Sequence, residues 1–195
     1  MVRGTRTVLI ESGTASLDLF DLYGEPLPIP EARLLVARNG DRFDLGRGIV
    51  LEAIESPGHA PHHLCFFERS ERILFCGDAV GNHGTSVDTP LTVPPRFDLE
   101  TGLETLRRLK ALEPRHLAFT HFGLATPAVP ILEDYEARLV AWFDRLREML
   151  ARMPPDSVVA DVLAEPQYAG MTSVDRMAVE MCVRGGLLSL IADDS

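Results

Sequence analysis

The chain has 195 residues, with 29 acidic against 19 basic side chains, a net charge of −10, and a composition that is 46% hydrophobic and 25% charged. That suffices for one globular domain with a sizeable core, and the dispersed negative charge argues against nucleic acid or an anionic membrane as partner. There is no 18-residue apolar run and no leader with an apolar centre of proper length, and the odd number of cysteines (Cys65, Cys76 and Cys182) lies in apolar runs. These features predict a cytoplasmic protein with reduced core thiols and a single domain over residues 1–195.

In chain order, Thr7–Ile10 reads either as a short strand or as the start of a helix through Ser16–Tyr23. Pro26, Pro28 and Pro30 then force an extended connection. Leu34–Ala37 is expected as a strand, Asn39-Gly40 as a hairpin turn and Arg42–Leu45 as the return strand. The apolar alternation of Ile49–Ile54 makes a further strand, which runs into Ser56-Pro57-Gly58-His59. Leu64–Phe67 and Ile73–Cys76, joined by the polar turn 68–72, read as an antiparallel hairpin that ends in Gly77-Asp78. Residues 81–97 have no period and are expected to form a loop lining a site. Asp98 can cap a helix carrying Leu99, Leu103, Leu106, Leu109 and Leu112, which stops at Pro114. A strand over 116–120 leads to His121-Phe122-Gly123. A helix over about 131–153 follows, with Leu132, Tyr135, Leu139, Trp142, Phe143, Leu146 and Leu150 on one stripe. Met153-Pro154-Pro155-Asp156 breaks it. A last helix runs from Thr172 or Ser173 to Leu190, interrupted or ended at Gly185-Gly186.

Three strands thus end in His59, Asp78 and His121, a set of two imidazoles and one carboxylate suited to zinc, iron or manganese. The blander alternative has Asp78 satisfying loop amides and the histidines hydrogen-bonded in a polar crevice. His62 and His63 can hydrogen-bond to a ligand residue or carry protons, and His83 can line a substrate pocket. His116 opens a strand and reads as structural, and Cys76 reads as packing.

The words Ser56-Pro57-Gly58-His59-Ala60-Pro61-His62-His63, Phe75-Cys76-Gly77-Asp78 and Thr120-His121-Phe122-Gly123 resemble, in order and spacing, segments of the metallo-β-lactamase superfamily. The likeness covers roughly Leu22 to Met153. It implies an α/β fold, the αββα sandwich, represented by its C-terminal half, a shortened N-terminal part and a helical tail. It also implies a glyoxalase-like, metal-dependent hydrolase of a small substrate, its activity reduced or lost, with His59, Asp78 and His121 as ligands and Asp78, the metal-bridging aspartate, also catalytic. The superfamily's His-x-His-x-Asp-His signature has no counterpart here, since His59 is the first histidine. At most one zinc, iron or manganese per chain is therefore expected. Two alternatives stand beside the hydrolase: a catalytically incomplete paralogue acting as a subunit or binding module, and a fragment of a longer enzyme. An uncovered sheet face and the stripe on helix 131–153 predict a homodimer.

Overall fold

Apolar alternation builds a six-stranded sheet among the described residues. In the computed structural model, which describes residues 30, 32, 35–83, 89–93, 97–121 and 123–193, its strands are β1 (Arg42–Gly46), β2 (Ile49–Glu55), β3 (Leu64–Glu68), β4 (Ile73–Gly77), β5 (His116–Phe119) and β6 (Leu124–Ala125). They lie side by side in sequence order, and every neighbouring pair is antiparallel except β4 and β5. A parallel pair needs a crossover, which helix α1 (Leu99–Ala111) supplies. Asp98 caps α1 as expected, its carboxylate accepting the Thr101 N–H. Two antiparallel steps separate β2 from β4, so β2, β4 and β5 all point the same way. Their C-terminal ends therefore open on one edge of the sheet, where α/β sheets commonly place ligands.

One face of the sheet, with Cys65, Phe67, Leu74, Cys76, Leu117 and Phe119, packs against the helices. Among the described residues the opposite face gathers only Leu51, Ala53 and Phe66 with Ala37, Phe43, Leu45, Leu64 and Phe75 around them. A second sheet is not among the described residues. Thr7–Ile10, Ser16–Tyr23, Pro26, Pro28 and Leu34 lie outside them as well. Residues 35–38 are not a strand, contrary to the expectation for Leu34–Ala37, and Leu35 and Val36 are exposed. The Asn39-Gly40 turn does form, but it docks on β2: Gly40 N donates to Ala53 O at 2.8 Å, and Glu55 N donates to Asn39 Oδ1 at 3.0 Å.

Helix α2 (Ala128–Leu150) begins three residues before the expected start. Its stripe of Leu132, Tyr135, Leu139, Trp142, Phe143 and Leu146 is buried in the main core, so it offers no dimer surface. Two further helices share that core with α1 and α2. Helix α3 (Pro155–Leu163) was not anticipated, because the paired prolines read only as a breaker. A proline in the first turn gives up an N–H that has no partner there anyway, and Val158, Val159 and Val162 bury behind it. Helix α4 (Ser173–Asp193) passes through Gly185-Gly186 without a break, a second correction. Residues 89–93 lie against it there. Thr92 Oγ1 donates to Cys182 O at 2.6 Å, and a β-carbon on Gly185 would fall within 3.0 Å of Thr92 O, Thr92 C and Val93 C. These glycines make room for a neighbouring chain segment. No helix among the described residues is long and apolar enough to cross a membrane.

Candidate metal centre

The turn after β2 is held from below by α1. Asp98 N donates to Gly58 O at 3.0 Å, and Thr105 Oγ1 donates to Pro57 O at 2.7 Å. Gly58 has φ +134°, and a β-carbon there would crowd Gly102 of α1 below 3.0 Å, so this turn can sit on the helix only with glycine at its apex. The next residue, His59, is thereby fixed at the sheet edge. Its Nδ1 lies 3.2 Å from Leu91 O. A carbonyl only accepts, so Nδ1 carries the proton and Nε2 keeps its lone pair. That nitrogen faces Asp78 Oδ2 at 3.6 Å.

Asp78 follows β4. Its carboxylate lies between two histidines, with Oδ1 3.2 Å from His121 Nε2. The three predicted ligands therefore do converge. His59 and Asp78 are nearly buried, whereas His121 is 53% exposed and borders solvent. Asp78 Oδ1 is buried and makes no hydrogen bond among the described residues despite its approach to His121. A buried charged oxygen without a donor is costly unless a cation or proton is supplied. An ion held tetrahedrally at 2.0–2.1 Å from each ligand spaces its donors about 3.3 Å apart. Both histidine–carboxylate approaches are close to that spacing. The donor set fits a divalent metal in type, and each histidine stands near metal-sharing distance of the carboxylate, but each carboxylate oxygen meets one imidazole only. Among the described residues no group of three or more His, Cys, Asp or Glu is arranged around one position.

The remaining candidates separate cleanly. His63 is 5% exposed and both of its ring nitrogens are engaged: Nε2 accepts the Asp78 N–H at 3.0 Å, and Nδ1 lies 2.9 Å from Ser56 Oγ. Burial, with His59 beside it, pushes this imidazole down to about 4. His62 is exposed in the turn. His83 is exposed too, and its ring stacks on Phe119 at 5.2 Å, beside the end of β5. His116 sits at the opposite end of β5 from His121. Cys76 is buried, burial raises its thiol well above the ordinary value, and its Sγ donates to Ala118 O. Leu91, which holds His59 through its backbone, carried no signal in the sequence. The described part of loop 81–97 is anchored: Thr89 Oγ1 lies 2.9 Å from the Tyr168 hydroxyl, and Thr92 is tied to α4.

Residues 3–121 match the Metallo-beta-lactamase superfamily model, a span that begins earlier than the sequence words alone placed it and ends on His121. The Metallo-beta-lactamase fold-containing protein of Sulfurisphaera tokodaii is 33% identical over 125 residues, 64% of this chain and 46% of its own. Its solved structure superposes with a TM-score of 0.59 at 25% identity, covering 87% of this chain and 58% of that one. An atrochrysone carboxyl ACP thioesterase of Paecilomyces divaricatus is 36% identical over 83 residues, 43% of this chain and 24% of its own. A hydroxyacylglutathione hydrolase of Nitrosococcus oceani is 44% identical over 46 residues, 23% of this chain and 18% of its own. This chain spans less than half the length of each of these curated relatives.

Proposed function

The chain belongs to the metallo-β-lactamase superfamily, and from that membership we propose that it is a metal-dependent hydrolase of a small thioester, with His59, Asp78 and His121 holding the metal. The observation that carries this reading is the Asp78 carboxylate, which faces an imidazole on each side and whose buried Oδ1 makes no hydrogen bond among the described residues. Thioesters are favoured because two relatives are named as a thioesterase and as a hydrolase of an acylated glutathione. A bound divalent metal supplies a water of near-neutral pKa and polarises an acyl carbonyl. The chain's own residues do the positioning. The Leu91 carbonyl fixes the tautomer of His59, α1 fixes its turn, and exposed His121 leaves the solvent side open to a substrate.

A second reading, a binding module or subunit without turnover, is favoured by the absence, among the described residues, of three or more His, Cys, Asp or Glu arranged to hold one metal ion. One experiment separates the two. The protein is dialysed against zinc, iron or manganese, its metal content is measured, and hydrolysis of an acylated glutathione and an acyl-pantetheine is followed. The hydrolase reading expects one metal per chain and turnover, both lost in His59→Ala and His121→Ala and both kept in His116→Ala. Thioester binding without turnover would establish the second reading. Failure to retain any of the three metals would end the enzyme reading.

A further inference from the structure

We propose that Ser56 and His63 form a positioning device for Asp78, aiming its carboxylate between His59 and His121 through the backbone amide; this rests on the reading of Asp78 as a metal-holding residue. The device is a directed chain of hydrogen bonds. Asp78 N–H donates to His63 Nε2 at 3.0 Å. An acceptor Nε2 in a neutral ring requires the proton on Nδ1, which is donated to Ser56 Oγ at 2.9 Å. Ser56 Oγ in turn donates to Ile54 O at 3.2 Å, ending on the last turns of β2. The chain therefore ties the end of β4 to the end of β2, across the intervening strand β3. His63 and Ser56 are both buried, so water does not compete for these bonds.

A buried histidine more often does nothing but pack. Two features set this one apart. The amide it receives belongs to the residue whose carboxylate meets both candidate ligands, so the plane of the 77–78 peptide sets where that carboxylate points. Gly77 also holds φ +50°, and a β-carbon there would fall within 3.0 Å of His63 Nε2 and Cε1. The strand end is thus shaped to let the ring reach the amide. With both nitrogens occupied, His63 has no free site for relaying protons or for ligation.

The test compares His63→Gln, His63→Leu and Ser56→Ala with the unaltered protein. Glutamine keeps an acceptor oxygen that can reach the Asp78 amide; leucine fills space without one. Zinc affinity is measured by competition with a chromophoric chelator, alongside melting temperature. In the zinc-free protein, exchange of the Asp78 amide and its χ1 rotamer, from three-bond couplings, are read by NMR. Removing a partner that orients a ligand typically costs 10–100-fold in metal affinity. His63→Leu should lose about that much, exchange its Asp78 amide faster and average its χ1, while His63→Gln restores all three even if both variants melt lower. Ser56→Ala should fall between them. Zinc affinity in His63→Leu equal to that of the unaltered protein overturns the proposal, as does a folded His63→Gln no better than His63→Leu. If the unaltered protein binds no zinc, the metal reading fails instead. The Asp78 amide and rotamer then decide the positioning role alone, and their indifference to His63→Leu refutes it.

Discussion

Substituting Gly185 by alanine tests how α4 is coupled to the site. In an exposed helix the change stabilises by about 1 kcal/mol, because alanine loses less backbone entropy. Here the new β-carbon would lie within 3.0 Å of three backbone atoms of Thr92 and Val93, which can move only with residues 89–93 as a unit. Overpacking of that kind costs about 1–3 kcal/mol. Losing the bond from Thr92 Oγ1 to Cys182 O adds about 1 kcal/mol. The clash wins, and Gly185→Ala should destabilise by about 1–3 kcal/mol in urea unfolding. Gly186→Ala is the control, since its β-carbon would press on Leu146 Cδ1, the end of a side chain, and on no backbone atom. It should cost less than Gly185→Ala. Because Leu91 lies in the displaced segment, its hold on His59 Nδ1 should loosen as well, and the imidazole proton should exchange faster by NMR. Stabilisation by Gly185→Ala would refute the close packing. A destabilised variant with an unchanged His59 proton would refute the link to the site.

Further outcomes are expected elsewhere in the chain. Glu68 accepts from Ser70 N at 3.0 Å, from the Ser70 hydroxyl and from Glu71 N at 2.8 Å; the hydroxyl chiefly holds its carboxyl below the ordinary value. With the folded value depressed, this stability is fully present above the unfolded value of 4.5 and is lost as pH falls through the folded one. Glu68→Gln should cost about 1–2 kcal/mol at neutral pH and flatten that acid dependence; parallel acid profiles for the two proteins would refute it. The buried thiols, with Cys76 pushed well up and Cys182 up to about 12, should resist a disulfide reagent until the chain unfolds, and rapid native labelling would contradict their burial. The homodimer expected from the uncovered sheet face and the helix stripe cannot use the stripe, which is buried in α2, so the sheet face remains, with the exposed Val174, Met177 and Leu188 of α4 as a further surface. Met177→Glu with Leu188→Glu should shift sedimentation from dimer to monomer if α4 forms the seam, an unmoved dimer would leave the sheet face, and a monomeric unaltered protein would sink the expectation.

What the sequence carried is unevenly distributed, and the reason is physical. His59, Asp78 and His121 were legible because each follows an apolar strand and a turn residue, signals set within a few neighbours of the chain. Their meeting needed only that β2, β4 and β5 share a direction, which the hairpin of β3 and β4 and the crossover α1 impose. The misreadings arise where a local signal has a tertiary cause. Pro154-Pro155 reads as a stop, yet an initial proline also starts a helix, and only the valines that follow reveal α3. Gly185-Gly186 reads as a break until the carbonyl of Thr92 is seen to need the space. His63 was grouped with His62 by sequence spacing alone. What separates them is the Asp78 amide, a main-chain donor that composition and motif do not record. The same holds for the Leu91 carbonyl behind His59. In this chain the candidate ligand side chains stand out by residue type, whereas the groups that hold His59 and meet Asp78 are largely backbone or buried side chains. Substitutions that shift backbone, such as those at Gly77 and Gly185, should therefore disturb the site more than changes to exposed neighbours such as His62.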